Sequence, residues 1–194
     1  MRVIAGNRKG RRLKTLKGLM IRPTADRVKE ALFSILGERV EGARVLDLYA
    51  GSGALGIEAL SRGAAHVTFV EAHPLSVRLI HENLRACALT DSVEVHMRRV
   101  ETFLSRVSDI LPPFQIVLAD PPYRAREEVS RLAVRFPPRL LGPYGMVALE
   151  HDQGIIPPPL FGLLTRSRTC RYGDTAVTLY GLENSSPIAR AEFS

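Results

Sequence analysis

Two carboxylates in this chain stand beside residues that give them chemical use. Asp47 opens the segment Asp47-Leu-Tyr-Ala-Gly-Ser-Gly-Ala-Leu-Gly56, and Asp120 opens Asp120-Pro-Pro-Tyr123. In the first, Gly51, Gly53 and Gly56 have G-x-G-x-x-G spacing, and Glu71 follows Gly51 by twenty residues. Glycines let a backbone approach a ligand closely, and an acid at that distance can accept hydrogen bonds from ribose hydroxyls. The plain alternative is a tight strand-to-helix turn that holds nothing.

Asp47 narrows the choice of nucleotide. A dinucleotide sets its pyrophosphate on the helix N-terminus. A carboxylate four residues before Gly51 would repel that phosphate and attract an ammonium or sulfonium group. S-adenosylmethionine carries both cations and no phosphate, so the charge favours it over NAD. Asp47 could instead only brace the loop through backbone hydrogen bonds. In the second segment, two prolines cannot extend a central strand but do fix a rigid turn. Asp120 and a turn carbonyl can each accept a hydrogen bond from an exocyclic amine, and Tyr123 can stack on a planar base. A purely structural Pro-Pro corner would look the same in isolation.

The elements that must position these groups follow from hydrophobic period. A small β-hairpin arm is expected around Gly6-Asn7 and Gly10, then a helix capped by Thr24 or Asp26 and ending near Leu36. Gly37 to Gly42 reads as a loop. Strand 44–49, helix 54–62, strand 66–71, helix 74–86, strand 92–96, helix 100–107 and strand 114–119 then alternate. A helix near Arg126 to Val134, a strand from Tyr144 to Glu150 and two strands around Gly173-Asp174 complete the chain. Pro157 to Pro159 excludes regular structure between them. This alternation implies an α/β fold with a mostly parallel seven-stranded sheet, helices on both faces and an antiparallel C-terminal hairpin. The expected division is a basic arm (1–22), a cofactor-binding domain (23–183) and a polar tail (184–194).

The chain has 194 residues, 45% hydrophobic and 24% charged, with a net charge of +7. Residues 1–30 hold ten Lys or Arg and two acids, whereas the remainder is nearly neutral at 17 basic and 18 acidic. The excess is thus N-terminal, the footprint expected of phosphate contacts to nucleic acid. A solvated basic hairpin without a partner is the alternative. Cys87 and Cys170 are isolated, no two histidines have ligand spacing, and no metal site is expected. Neither a membrane span nor a secretory signal is legible, so a cytoplasmic location with reduced thiols is expected.

Taken together these residues resemble the class I S-adenosylmethionine-dependent methyltransferases with a Rossmann-like fold, and among them the (Asn/Asp)-Pro-Pro-(Tyr/Phe) amino-methyltransferases. Arg2 to Gly6, Arg22-Pro-Thr-Ala-Asp-Arg-Val-Lys-Glu-Ala-Leu-Phe33, Asp47 to Gly56, Ala59 to Gly63, Asp120 to Tyr123 and Tyr172-Gly-Asp-Thr175 are similar to the bacterial RsmD family. The resemblance runs from Met1 to about Tyr180. It implies methylation of the N2 amine of guanine 966 in 16S rRNA, within the 30S subunit or an assembly intermediate, by a monomer.

By that resemblance Asp47, Tyr49, Gly51 and Gly53 line the methionine end of S-adenosylmethionine, and Glu71 holds the ribose. Arg22, Pro23 and Thr24 fold over the site. Asp120, Pro121, Pro122 and Tyr123 form the catalytic turn, Asp120 also facing the cofactor. Arg2, Arg8, Lys9, Arg11, Arg12, Lys14 and Lys17 are the expected RNA contacts. Similar proteins usually carry an Asp near position 99 that accepts from the adenine amine. This chain has Arg98-Arg99-Val100, and a guanidinium cannot accept a hydrogen bond. Arg99 and Val100 are therefore assigned a backbone role. Adenine N6 methylation of DNA or RNA, and a non-catalytic RNA-binding ribosome-assembly module, are the competing readings.

Overall fold

The computed structural model describes residues 1–15, 24–107, 112–122 and 126–182. Of the residues singled out from sequence, Lys17, Arg22, Pro23 and Tyr123 lie outside these, as do the Thr24 side chain and the polar tail. The strands are β1 (Arg44–Leu48), β2 (His66–Glu71), β3 (Val93–Met97), β4 (Phe114–Ala119), β5 (Leu141–Asp152), β6 (Leu160–Phe161), β7 (Leu164–Tyr172) and β8 (Thr175–Gly181). The helices are α1 (Thr24–Leu36), α2 (Ala54–Ser61), α3 (Pro74–Ala86), α4 (Val100–Val107) and α5 (Arg126–Arg135).

All eight strands form one sheet in the order β3-β2-β1-β4-β5-β8-β7-β6. β1 to β5 are parallel, and β6 to β8 are antiparallel. The sheet has one strand more than the sequence led us to expect. The addition is β6, two residues long and too short to carry a period. Gly37–Val40, read as a loop, is a 3-10 turn. β5 starts three residues earlier than expected, running through Gly142-Pro143, with a register irregularity against β4 between Phe114 and Ile116.

Successive residues of the central strands are buried on alternate faces. Val45, Val67, Phe69, Ile116 and Leu118 pack with α1, α2 and α3 on one side. Leu46, Leu48, Val70, Val117 and Ala119 pack with α4 and α5 on the other. The strand order reverses direction at β1, which lies between β2 and β4. In an open α/β sheet the crevice at such a reversal, outside the carboxyl ends of the strands, is where ligands bind.

The N-terminal arm is docked on this body. One antiparallel bridge, Arg2 with Arg12, closes it, and Val3 and Leu13 enter the core. Glu58 of α2, wholly buried, accepts the backbone N–H groups of Ile4 (2.8 Å) and Ala5 (3.0 Å). The same carboxylate meets Arg62 Nε at 2.8 Å and Lys29 Nζ at 3.3 Å. A buried carboxylate is costly unless paired in this way.

Candidate active site

β1 ends in a sharply turned loop. Tyr49 has φ 59, Gly51 φ 54 and Gly53 φ 78. The left-handed region suits glycine, so Tyr49 must be held there by other contacts. Its hydroxyl donates to Glu128 Oε1 of α5 at 3.0 Å, and burial, with the Glu128 charge adding to it, raises the phenol above its ordinary range. Gly56 is required for packing. A Cβ there would meet the Phe69 ring at 2.3 Å, so only glycine lets α2 lie this close to β2. The loop is also tied from outside. Asn83 Nδ2 of α3 donates to the carbonyls of Ser52 (2.9 Å) and Lys14 (3.0 Å).

Asp47 is 1% exposed, and its Oδ2 accepts the Gly56 N–H at 2.9 Å. It does brace the loop, and it also lines the cleft. Burial pushes its carboxyl up to about 7; the Gly56 hydrogen bond opposes this, and the charges of Asp120 and Glu71 add to it. Asp120 follows β4, next to β1, and its N–H donates to Leu48 O at 3.4 Å. Its residue surface is open to the cleft. Even so, the surrounding protein removes enough water from the carboxyl to raise it to about 6. Pro121 is buried and Pro122 exposed, as suits a rigid corner at the sheet edge.

Asp47, Tyr49, Gly51 and Asp120 share one cleft with Lys29 and Glu150. Its volume of about 140 Å³ is below the roughly 300–1,000 Å³ of ordinary small-molecule pockets, so it has room for only part of a nucleoside-sized ligand. Lys29, the one basic side chain among the described residues lining it, is spent on Glu58 and the Arg2 carbonyl. The side chains lining the cleft are therefore acidic, with their one base already paired, which suits a cationic ligand and opposes a phosphate.

Glu71 stands beside this cleft. Its two oxygens accept the N–H groups of Gly51 (2.8 Å) and His73 (2.7 Å). Each oxygen keeps a lone pair for a ribose hydroxyl. Arg99 and Val100 lie at the same sheet edge, after β3 and two strands from β1, roughly 10 Å away. Arg99 is exposed and its carbonyl already accepts the Phe103 N–H at 3.0 Å. Val100 begins α4, where a helix leaves backbone N–H groups unpaired.

The expected RNA contacts divide. Arg2, Lys9, Arg11 and Arg12 are exposed. Arg8 is bound to the Cys87 and Ala88 carbonyls at 2.6 and 3.3 Å, and Lys14 pairs with Glu82 at 2.9 Å. Glu58, Glu128, Glu150 and Lys29 were missed from sequence. Glu58 alone left a trace there, as a single charge in the otherwise apolar and small run of α2. Among the described residues no cluster of His, Cys, Asp or Glu could hold a metal, and no helix is long and apolar enough to cross a membrane.

Known proteins resemble this chain in sequence and in fold. The family model described as "Conserved hypothetical protein 95" matches residues 1–181. The Bacillus subtilis protein "Putative rRNA methyltransferase YlbH" is 38% identical over 180 residues, covering 93% of this chain and 98% of the relative. "Ribosomal RNA small subunit methyltransferase D" of Haemophilus influenzae is 34% identical, over 87% of this chain and 89% of its own. Among solved structures, "Putative methyltransferase yhhF" from Escherichia coli superposes with a TM-score of 0.78 at 32% identity, covering 94% of this chain and 98% of the other.

Proposed function

Because the chain belongs to the RsmD family of ribosomal RNA methyltransferases, we propose that it moves a methyl group from S-adenosylmethionine to the N2 amine of guanine 966 in 16S rRNA. It would do so as a monomer in the cytoplasm, on the 30S subunit or an assembly intermediate. The observation that carries this reading is the pair of carboxylates, Asp47 and Asp120, at the ends of adjacent strands in a cleft whose lysine is already neutralised.

The residues fit such a donor. Asp47 is a buried carboxylate in need of positive charge, and Glu71 has lone pairs to spare for a ribose. Bound there, the donor would supply an electrophilic methyl carbon on a sulfonium. Tyr49, Gly51 and Gly53 would hold its methionine end against Asp47. The adenine ring would lie against Arg99 and Val100, with the Val100 N–H as donor to a ring nitrogen.

Asp120 and a carbonyl of the proline turn would each accept one N–H of the guanine amine. Held so, the nitrogen lone pair points at the methyl carbon instead of into the ring. Once methylated, the amine would be cationic, and Asp120 is the charge placed to relieve it. The nitrogen then sheds a proton to Asp120 or to water. Tyr123 would hold the base by stacking. Positioning of this kind can supply about 7–11 kcal/mol of the barrier, and the target base must be unstacked to enter.

Labelled methyl transfer to unmodified 30S particles and to free 16S rRNA, followed by mapping of the base, tests this. Modification of guanine N2 is expected. Methylation of adenine, or binding of NADH with no response to S-adenosylmethionine, would overturn it.

A further inference from the structure

The segment Tyr172-Gly-Asp-Thr175 has no part in the chemistry above, yet the sheet carries it to the same edge as the catalytic turn. Ala119 of β4 is in register with Leu149 of β5, Leu149 with Thr178 of β8, and Thr178 with Thr169 of β7. One residue beyond that row stands Asp120 on β4, and two residues beyond it stands Arg171 on β7. Three strand spacings separate them, roughly 14 Å. The tip of the hairpin is fixed by Gly173 at φ 60 and by the Gln153 N–H donating to the Asp174 carbonyl at 2.9 Å.

The outer strand β7 is positively charged, with the nearest acids, Asp174 at the hairpin tip and Asp152 at the end of β5, lying beyond it. Residues 163–173 contain Arg166, Arg168 and Arg171 and no acid, and all three arginines are exposed. Arg166 is drawn to the Pro157 carbonyl at 2.9 Å, toward the other end of the strand. Arg168 and Arg171, three residues apart, leave opposite faces of β7. They accordingly influence different neighbours, Arg168 the Tyr172 phenol and Arg171 the His151 ring. Among the described residues β6 pairs with β7 only at Leu164 and Thr165, so the rest of the outer edge has no strand beside it.

We infer that the free edge of β7, with Arg168 on one face and Arg171 on the other, is a second phosphate-binding surface that grips the rRNA beside the target base. This deepens the rRNA-methyltransferase reading and rests on it for the identity of the RNA. Arginines on an edge strand also discourage strand-to-strand aggregation. That role needs no RNA, and salt dependence separates the two.

The test is binding of 16S rRNA across a salt series by wild type, by the double variant Arg168→Ala/Arg171→Ala and by Arg135→Ala. Arg135 is exposed at the last turn of α5, at the opposite end of the sheet, and controls for general loss of charge. The double variant is expected to bind about tenfold or more weakly at physiological salt, with the slope of log K against log salt reduced by about 1.4–1.8, as for two phosphates. Its turnover at saturating RNA and its affinity for S-adenosylmethionine stay unchanged. If it fails to fold, Arg168→Gln/Arg171→Gln takes its place.

An unaltered slope, or an equal loss in Arg135→Ala, overturns the inference. Weakened binding to 30S particles with full binding to naked rRNA also overturns it, in favour of a ribosomal protein as the partner of this edge. Wild-type protein that binds rRNA in a hairpin-dependent manner yet methylates nothing would sink the proposed reaction and leave the hairpin surface standing.

Discussion

Replacing Asp47 by Asn should stabilise the ligand-free protein while destroying its use. The amide oxygen can still accept the Gly56 N–H that Asp47 Oδ2 now takes at 2.9 Å. The buried charge is gone. Burial raises the Asp47 carboxyl from 3.8 to about 7. A carboxyl raised on folding contributes stability that is complete below about pH 4 and is lost as pH rises through about 7. Each unit is worth about 1.4 kcal/mol, so between pH 5 and pH 8 the wild type should lose about 2–3 kcal/mol through this group alone. The variant has no such loss. Its advantage over wild type should therefore grow by about 2–3 kcal/mol from pH 5 to pH 8, whatever fixed penalty the amide N–H groups carry. For a domain of this size that corresponds to roughly 4–12 °C in the gap between melting temperatures. Calorimetric melts of both proteins at several pH values measure it. A gap that stays constant or narrows toward pH 8 would refute the placement of an unpaired buried charge at the foot of β1. Calorimetric titration of the variant with S-adenosylmethionine should show no binding.

Three further outcomes follow from the same geometry. If the donor requires ionised Asp47, its dissociation constant in wild type should be about tenfold larger at pH 6 than at pH 8, because only about a tenth of the sites are then competent; a flat profile in isothermal titration contradicts this. Asp120→Ala should cut turnover by at least about 10²-fold, far more than it weakens cofactor binding, and single-turnover transfer to rRNA at saturating donor reads the difference. Glu58→Gln leaves Lys29 buried without its counter-charge and should cost about 3–5 kcal/mol, with earlier proteolysis of residues 1–13; a melting temperature equal to wild type would remove Glu58 as the fastening of the arm.

The sequence carried the central architecture because its signals are local. β2, α3, α4 and β4 have the expected boundaries, each a run with one clear period and a flanking turn residue. β6 escaped because two residues have no period, and the start of β5 escaped because Gly142-Pro143 normally breaks a strand. At the site, Asp47, Gly51 and Asp120 meet in one cleft as their strand-end positions implied. The residues that hold them there were not legible. Tyr49 reaches Glu128 across 79 residues, Asn83 joins Ser52 to Lys14 across 31 and 69, and Glu58 gathers Ile4, Ala5, Lys29 and Arg62. Such partners are chosen by tertiary packing, so neither propensity nor spacing could announce them.

The fastening at Glu58 has a mechanical sequel. The helix whose Glu58 fastens the arm is the one capped at Gly53, so the basic arm and the loop proposed to hold the donor are joined through a single helix. If the proposed contacts hold, a nucleic acid that tugs on Arg2 or Arg12 would load the floor of the proposed donor site directly. Grip on a large particle and readiness to accept the small molecule would then be felt by each other without any domain having to swing.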